Sequence, residues 1–467
     1  MNGAQLREKR EVLNLSQAKF SELTGISQHI ISAFELGKSN LGEGQLAEIE
    51  SLLGDHDKVA HLVGRRKRYR NHQYQVNCSP EDRSGLCQQT QANKEYVRLL
   101  NELEAMRGTD LNGFSALSLF SGCGGFSLGF SWAGFAVKGF VELEAGLRQI
   151  YRANFPNAVE CGSNITEVSS SQLASLSKQI GEIDVIIGGP PCQGFSLSGK
   201  RDVNDPRNTL FKHYLRFVDQ FRPKMAILEN VRLLTSMKND QGGYVRNDIL
   251  DEFAKHGYKV EFFEVNAKNY GVPQHRERVL FVAVADGCAF SPSLPESSFG
   301  ITNDLFGKMK QPRTFADACS DLEYLESGQK SKADRYHEAV NHPTHVVEWL
   351  WDVAQGKSAH DNEDPSLHPP SGYNTTYKRQ IWNEPAATVQ TTFGMISGCR
   401  NVHPVATRSL TIREAARIQS FPDTFKFTGT AGTIRTGIGN AVPPLLAYEL
   451  GNHASAKLSN LVEVASF

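Results

Sequence analysis

Several features are missing from these 467 residues, and each absence narrows the class of protein. No apolar run approaches the roughly 20 residues that a membrane-spanning helix needs. The N-terminal stretch "MNGAQLREKREVLNLSQ" has no apolar core of the kind that a signal peptide carries. No internal repeat is visible. These absences predict a soluble, cytoplasmic protein with no membrane partner.

Cysteine pairs with metal-site spacing are also missing. The eight cysteines are scattered, and none forms a C-x-x-C pair. Cys78 and Cys87 are the nearest neighbours, in a polar stretch. Reduced thiols are the norm in a cytosolic chain of this length. We therefore predict no bound metal and no disulfide framework.

Excess charge of one sign is missing as well, because the net charge is −1. Bulk charge therefore gives no sign of a nucleic-acid partner. Basic residues do crowd together in "GRRKRYRNH", residues 64–72. Such a stripe can bind phosphate even in a neutral chain, but a solvated linker has the same composition. Both interpretations of this run remain open.

The first 60 residues have the pattern of short helices. "LSQAKFSEL" and "SQHIISAFELGK" are amphipathic and flank "TGIS", where Gly25 can adopt a positive φ, and Gly37 is placed to end the later helix. The order resembles the phage-repressor type of helix-turn-helix domain. That resemblance implies operator DNA as a partner, dimerisation on the operator, and base contacts from the later helix by Ser27, Gln28, His29 and Ser32. A helical packing domain without DNA contacts is the alternative.

Beyond that domain the pattern changes twice. The helix "NKEYVRLLNELEAMR" has one apolar stripe, which predicts packing. From residue 114, short β-branched runs alternate with helical stretches, which predicts a mainly parallel α/β sheet. After residue 290 the alternation stops, and "AATVQTTFGMISG" indicates strands and turns. The predicted divisions are a helix-turn-helix domain (1–60), a basic linker with a helix (61–113), a catalytic domain (114–289 and 431–467) and an inserted domain (290–430).

The stretch "IDVIIGGPPCQGFS" suggests a presented thiol. Gly188 and Gly189 end an apolar strand, and two prolines prevent a helix from starting there. The loop that follows carries Cys192. A buried structural cysteine needs no such loop, whereas a nucleophile does.

A glycine-rich loop, "FSGCGG", follows the first predicted strand. Glycines there let a ligand approach the backbone, and Glu142 lies about 20 residues on, where an acid can bind ribose hydroxyls. The later glycine of the dinucleotide fingerprint is missing, and no Lys-Ser/Thr follows. The loop therefore suits S-adenosylmethionine better than NAD.

These segments form an ordered set. "GGPPCQGFS", "LENV", "NYGVPQHRERV" and "GIGNAVPP" follow the glycine loop in that order, and "RSLTIREAARIQSFPDTF" precedes the last of them. The set, spanning residues 115–455, resembles the motifs of the DNA cytosine-5 methyltransferases of bacterial restriction-modification systems. The resemblance implies a Rossmann-like S-adenosylmethionine-dependent methyltransferase domain with an inserted target-recognition domain.

Cytosine chemistry accounts for the residue types. A thiolate that adds at carbon 6 makes carbon 5 nucleophilic, so methyl transfer needs a cysteine, here Cys192. Glu229, if neutral in a dry pocket, can protonate the ring nitrogen. Arg278, with Arg276, can meet charge on the ring carbonyl. The target base must be rotated out of the stack. The resemblance assigns these four residues the same roles.

The resemblance also implies binding residues. Those expected to hold the cofactor are Phe120, Ser121, Gly122, Cys123, Gly124, Gly125, Glu142 (ribose), Leu143 (adenine), Asn164, Ile165, Pro190, Asn440 and Ala441. Those expected to contact double-stranded DNA are Ser196, Ser198, Thr388, Thr391 and Thr392. Arg379, Gln380, Gln390, Arg400 and Asn401 have side chains suited to base edges and phosphates.

Two other functions remain open from the sequence. The same chemistry on transfer RNA is one, although a target-recognition insert and a helix-turn-helix both favour DNA. A DNA-binding regulator with an inactive methyltransferase half is the other, although the complete Cys, Glu and Arg set argues against it. Catalysis requires only a monomer, near the nucleoid of a bacterial cell.

Overall fold

The chain was analysed as a computed structural model in which two units are separated between Asn77 and Cys78. The described residues are 1–12, 15–54, 80–85, 87–108, 112–191, 210–239, 242–300, 309–370, 372–398 and 400–465. No helix in this part of the chain is both long enough and apolar enough to cross a membrane.

The N-terminal unit is helical, as predicted. Its described helices are α1 (Gly3–Val12), α2 (Gln17–Thr24), α3 (Gln28–Glu35) and α4 (Glu43–Gly54). Gly25, in the turn between α2 and α3, has a φ of +69°. After α3, Gly37 also has a φ of +69°, and the Lys38 amide donates to the Ala33 carbonyl at 2.8 Å. Both turns need a left-handed residue, which explains glycine at each.

Arg10 and Glu35 form a buried ion pair that joins α1 to the end of α3. Arg10 Nε donates to Glu35 Oε1 at 2.7 Å, and the amide of Gln17, on α2, donates to Glu35 Oε2 at 2.7 Å. Burial alone would raise the pKa of Glu35, but the hydrogen bonds from Arg10 and Gln17 outweigh it and lower that pKa below 4.5. One carboxylate therefore holds three helices together.

Glu35→Ala is expected to destabilise the N-terminal unit by about 3–5 kcal/mol, because it removes the hydrogen-bonded carboxylate from the buried Arg10 guanidinium and leaves it only the more distant Glu11, at 3.7 Å. In the full chain, amide hydrogen exchange of residues 15–35 should accelerate by about 100-fold or more. Because the folded pKa of Glu35 is lowered, the stabilisation is present above pH 4.5 and is lost as the pH falls through that folded pKa.

The matched control is Glu11→Ala. Glu11 pairs with Arg7 at 2.9 Å on the solvent side of α1, where its side chain is 54% exposed, and it lies 3.7 Å from Arg10 without hydrogen-bonding to it. An exposed pair contributes less than about 1 kcal/mol, so exchange should hardly change. Equal acceleration in the two variants would show that the buried pair has no special role.

In the C-terminal unit the described residues include seven strands in one sheet, of order β3-β2-β1-β4-β5-β7-β6. The strands are β1 (Ser115–Leu119), β2 (Ala136–Val141), β3 (Val159–Gly162), β4 (Val185–Gly188), β5 (Met225–Val231), β6 (Tyr258–Asn266) and β7 (Glu277–Ala285). The first five pair in parallel, whereas β7 is antiparallel to both β5 and β6. The α/β prediction is confirmed.

Helices cover both faces of this sheet. The described helices are α5 (Pro80–Gly85), α6 (Gln91–Met106), α7 (Gly125–Trp132), α8 (Ala145–Asn154), α9 (Ser170–Ile180), α10 (Leu210–Phe221), α11 (Val245–Lys255), α12 (Phe315–Cys319), α13 (Thr344–Leu350), α14 (Ile412–Ile418), α15 (Ala431–Asn440) and α16 (Pro444–Ala465). Alternate residues of β1 face opposite cores: Ala116 joins a cluster with α7, α8 and α16, and Leu117 joins one with α9, α10 and α11. Burial on both faces explains why the central strands β1, β4, β5 and β7 are mostly apolar.

Helix α6 belongs to this unit, although it lies in the segment predicted as a linker. Tyr96 is fully buried, and its hydroxyl donates to the Arg417 carbonyl at 2.7 Å. Asn93 donates to the carbonyl of Asp317 at 3.1 Å. The predicted apolar stripe of α6 therefore packs on the C-terminal core.

Residues 290–430 contain no regular strand among those described, so the expectation of strands in "AATVQTTFGMISG" is wrong. Buried polar side chains satisfy the backbone there instead. The Arg379 guanidinium donates to four backbone carbonyls, at 2.7–3.1 Å. Asn401 donates to the carbonyl of Met395 at 3.1 Å. Arg379, Gln380 and Asn401, whose side chains suit base edges and phosphates, are at most 4% exposed and bond within the protein in this region.

Candidate active site

The predicted site residues gather at one edge of the sheet. The glycine loop follows β1, Glu142 follows β2, Pro190 follows β4, and Glu229 lies near the end of β5. Parallel strands place their carboxyl ends together. Because β7 is antiparallel to β5, its first residues, including Arg278, reach the same edge. The topology thus brings together segments that are up to 160 residues apart in sequence.

The glycine loop has an unusual backbone. Phe120, Gly122 and Gly124 have φ values of +53°, +56° and +104°. Phe120 is the costly member, because its side chain disfavours that region. A Cβ added at Gly122 would meet nothing within 4 Å, so this residue borders open space. The strain and the open space are what close approach of a ligand to the backbone requires.

Two backbone amides of the glycine loop donate hydrogen bonds to the end of β2 and to Glu142, which follows it. The Ser121 amide donates to the Val141 carbonyl at 3.0 Å, and the Gly122 amide donates to Glu142 Oε2 at 2.7 Å. Cys123 is buried, and burial raises the pKa of its thiol to about 12, so it is not a nucleophile at neutral pH. Gly125 begins α7 and lies against Ala441, where an added Cβ would come within 3.1 Å of the alanine Cβ.

Glu142 and Leu143, which follow β2, offer a buried carboxylate and an exposed apolar side chain next to each other. Glu142 is 7% exposed, and burial raises its pKa, although amide donors oppose the shift. Each of its oxygens accepts one backbone amide, from Gly122 and Glu144, and keeps a lone pair for a further donor. Leu143 is 62% exposed, an apolar surface without a cover.

Asn164, Ile165 and Asn440, which are also predicted to hold the cofactor, differ in their contacts and exposure. The Asn164 side-chain oxygen accepts from the Thr166 amide at 3.1 Å and from its hydroxyl at 2.9 Å, forming an Asx turn. Ile165 is buried in the core beneath the turn. Asn440 ends α15 and is exposed. The Asn164 amide oxygen is therefore already engaged within the chain.

Glu229 lies beside the chain that leads to Cys192. A Cβ added at Gly189 would come within 3.0 Å of Glu229 Oε2, so a side chain there would press on the carboxyl group. Asn230 donates to the Pro190 carbonyl at 3.0 Å and holds the entry to the loop. The described backbone ends at Pro191, and Cys192, Ser196 and Ser198 lie outside the described residues.

The two predicted arginines have different surroundings. Arg278 Nε donates to Glu229 Oε1 at 2.7 Å, and both side chains keep a small exposed fraction. Arg276 is fully buried, and its guanidinium donates to the carbonyls of Val389 at 3.3 Å and Gly439 at 3.0 Å. Burial, with Arg278 nearby, lowers the pKa of Arg276. Arg278 is thus beside the carboxylate, whereas Arg276 joins three segments of the fold.

Residues 386–398, here called the recognition segment, are attached to the same edge. Ala386 forms a parallel bridge with Gln274, and the Thr388 hydroxyl donates to the His275 carbonyl at 2.6 Å. A Cβ added at Gly439 would come within 2.4 Å of the Thr391 amide nitrogen, so this part of the segment packs on the end of α15. Thr391 is half-buried and Thr392 is exposed.

Gln274 is a residue that the sequence analysis did not single out. It is fully buried, accepts from the Val389 amide at 2.9 Å and donates to Gln419 Oε1 at 2.9 Å. Gln419 in turn donates to the Ile438 carbonyl at 2.6 Å. A buried amide pair therefore positions the recognition segment. Its only sequence signal was its place within "VPQHRERV".

In the N-terminal unit, the predicted base-reading residues lie at the start of α3. Ser27, Gln28 and His29 are exposed and Ser32 is half-buried, while Ile31 and Phe34 pack in the core. The described residues of the chain hold no group of three His, Cys, Asp or Glu side chains that could bind a metal ion.

Comparisons with known proteins show the family to which the chain belongs. A family described as C-5 cytosine-specific DNA methylase matches residues 114–456, and a helix-turn-helix family matches residues 6–57. The Type II methyltransferase M.DdeI of Desulfomicrobium norvegicum is 34% identical over 383 residues, covering 74% of this chain and 89% of its own length. M1.HphI of Haemophilus parahaemolyticus is 39% identical over 339 residues, covering 72% and 84%.

Among solved structures, a protein described as a DNA modification methyltransferase encoded within an E. coli prophage matches with a TM-score of 0.56 at 25% identity. The match covers 75% of this chain and all of that one. The chain therefore belongs to the C-5 cytosine-specific DNA methylases, and it is a DNA (cytosine-5) methyltransferase with an N-terminal helix-turn-helix domain.

Proposed function

We propose that this enzyme methylates carbon 5 of a cytosine within a specific duplex DNA sequence, from S-adenosylmethionine, through a covalent adduct of Cys192 with a flipped-out base. The observation that carries the proposal is the junction of Gly189, Glu229 and Arg278 at the end of the loop that bears Cys192. A carboxyl group and a guanidinium there match the two polar edges that an activated cytosine presents.

The edge above β1 and β2 suits S-adenosylmethionine. Glu142 has free lone pairs for ribose hydroxyls, the exposed face of Leu143 suits an adenine ring, and Gly122 leaves open space beside the backbone. Phe120, Ser121, Cys123, Gly124 and Gly125 form the rest of that loop, and Asn164, Ile165, Pro190, Asn440 and Ala441 border it in this proposal. When bound, the cofactor supplies an electrophilic methyl group on a sulfonium.

The protein's own residues prepare the base. The Cys192 thiolate forms a bond to carbon 6, and the electron pair of the 5,6 double bond moves toward carbon 5. Glu229 gives a proton to the ring nitrogen, and Arg278 donates to the ring carbonyl. After carbon 5 is methylated, its proton passes to a water molecule, and the Cys192 sulfur departs with its bonding electrons as the 5,6 double bond re-forms. The ring nitrogen returns its proton to the Glu229 carboxylate, which restores the enzyme.

The ion pair between Glu229 and Arg278 adds one requirement to this sequence. A carboxylate that accepts from a guanidinium at 2.7 Å is poised as an acceptor, whereas protonation of the ring nitrogen needs it as a donor. The proton for the ring nitrogen is therefore carried by Glu229 Oε2, the oxygen nearest Gly189, while Oε1 continues to accept from Arg278. Another N–H group of the Arg278 guanidinium donates to the ring carbonyl.

The reaction is tested by incubating the enzyme with labelled S-adenosylmethionine and either duplex DNA or transfer RNA. We expect label at carbon 5 of cytosine in the duplex alone, at one sequence when the methylated positions are mapped. Label in transfer RNA and none in duplex DNA would refute the proposal. Type II relatives further suggest that the modification protects DNA in a restriction-modification system.

We further propose that the helix-turn-helix domain binds an operator, as a regulator of its own gene or that of a partner endonuclease. The exposed start of α3 supports this, because Ser27, Gln28 and His29 are free to reach base edges in a major groove.

Deleting residues 1–77 removes the whole N-terminal unit at the boundary that the structure shows. Methylation should stay within about threefold, because the catalytic edge lies wholly in the C-terminal unit. The shortened protein should no longer shift operator DNA in a gel. Gln28→Ala in the full chain should weaken operator binding by roughly 10-fold or more, because one contact to one base pair is lost. Loss of methylation on deletion would contradict the division of roles.

A further inference from the structure

Arg435, on α15, carries a guanidinium without a counter-charge. Its Nε is buried and makes no hydrogen bond. Within the described ranges, the Arg435 side chain has neither an ion pair nor a hydrogen-bond partner, and burial lowers its pKa. The buried Arg408, by contrast, forms a two-point pair with Glu414 at 2.7 and 2.8 Å. A half-buried cation without compensation is costly, so this one calls for a ligand.

The side chain lines a cavity of about 610 Å³ between α15 and residues 328–341. Arg335, Tyr336 and Thr428 share the wall, as does the first turn of α15 at Ala431, the positive end of the helix. The Thr428 hydroxyl is buried without a hydrogen-bond partner. Glu338 also lies on the wall, exposed and not paired with Arg435 among the described contacts. Two unused donors therefore border one cavity.

The same guanidinium packs on the recognition segment. A Cβ added at Gly394 would come within 2.5 Å of Arg435 Nε and 2.7 Å of its Cζ, so glycine makes room for the arginine. The Gly394 carbonyl is held by the Ser409 hydroxyl at 3.0 Å, which fixes this contact. The neighbouring Met395 is 56% exposed. The unpaired charge thus lies beside the exposed part of the segment proposed to meet DNA.

We propose that Arg435 binds a backbone phosphodiester of the substrate DNA and so fixes the duplex against the recognition segment. The inference rests on the proposed DNA substrate and adds a contact to it. A guanidinium presents paired N–H groups that match two phosphate oxygens. The Thr428 hydroxyl supplies a further donor. A phosphodiester, rather than a free anion, is the expected ligand, because Arg435 lines the cavity and also packs on Gly394 of the segment proposed to meet the duplex.

The test compares Arg435→Met with the wild-type enzyme. Methionine keeps much of the side chain and removes the charge. The Kd for a cognate duplex, measured by fluorescence anisotropy over a range of salt, should rise about 10-fold, and the slope of log Kd against log salt should fall by about 0.9, the loss of one phosphate contact. Binding of S-adenosylmethionine and the Tm should not decrease. Gly394→Ala, which displaces the guanidinium and keeps its charge, should reproduce the weaker DNA binding.

The matched control is Arg98→Met, which removes the same charge from the exposed side of α6, where Arg98 is 71% exposed. It should leave the Kd and the salt slope unchanged. The inference would be overturned if Arg435→Met and Gly394→Ala both left the salt slope of DNA binding unchanged. It would also be overturned if inorganic phosphate raised the Tm of the wild type but not of Arg435→Met, while the two proteins had the same salt slope for DNA. If wild-type enzyme neither bound nor methylated duplex DNA, the proposed function would fail instead.

Discussion

Cys192→Ala is expected to lower the rate of DNA methylation by about 10⁴-fold or more, because it removes the thiolate proposed to add to carbon 6 and make carbon 5 nucleophilic. The Kd values for duplex DNA and S-adenosylmethionine should change little, since the residues proposed to bind them remain. Single-turnover methylation of a cognate duplex gives the rate directly. A duplex with 5-fluorocytosine at the target adds a second readout. Fluorine cannot leave as a cation, so the wild-type adduct persists on a denaturing gel, and Cys192→Ala should form none.

Cys288→Ala is the matched control. This thiol is half-buried in the C-terminal unit, away from the carboxyl edge, and burial raises its pKa. The variant should methylate DNA and form the fluorocytosine adduct like the wild type. Persistent methylation by Cys192→Ala, or an adduct that survives the substitution, would show that the nucleophile is a different residue.

Glu229→Gln is expected to reduce the single-turnover rate by about 10²–10⁴-fold, the usual contribution of a general acid. Glutamine can still accept from Arg278 and donate a hydrogen bond, but it cannot transfer a proton to the ring nitrogen. The rate of adduct formation with 5-fluorocytosine should fall by the same factor, because protonation accompanies thiolate addition. DNA affinity should remain within about threefold of the wild type, since the overall geometry is kept.

Glu264→Gln provides the comparison for this variant. Glu264 also pairs with an arginine, Arg232, at 2.8 Å, but it is 44% exposed. Its replacement should leave methylation unchanged, because exposed pairs contribute little and this one lies outside the site. If the two substitutions slowed methylation equally, Glu229 would act through its ion pair and not through proton transfer.

The buried-strand pattern allowed much of the sheet to be predicted. The runs that became β1, β4, β5 and β7 are mostly apolar, because both faces of these strands are covered, and the run that became β2 is interrupted by Lys138. Strand β3, of four residues, was missed, and so was β6, since "YKVEFFEVN" mixes charged and apolar residues at the edge of the sheet. Its antiparallel pairing with β7 depends on long-range contacts that no local pattern reports.

Part of the candidate site could also be predicted from local sequence signals, and part could not. The glycine loop and Glu142 were predictable because positive-φ positions and an acid after the second strand are local signals. The recognition region was harder. Arg379 and Asn401 have polar side chains suited to DNA, yet they are buried and bond to the backbone of an irregular segment. Composition cannot distinguish an arginine that faces a phosphate from one that donates to backbone carbonyls in a region without regular strands.

The sequence alone thus determined the chemistry: an ordered set of motifs, a cysteine after two prolines, an acid, two arginines and a glycine loop, because reaction chemistry restricts residue types at fixed chain positions. Only the tertiary structure decided which residues meet. It paired Glu229 with Arg278, committed Arg276 to the carbonyls of Val389 and Gly439, and left Arg435 without a partner among the residues that the structure describes. Those outcomes depend on which segments share a sheet edge or a buried junction, and folding brings such segments together from distant parts of the chain.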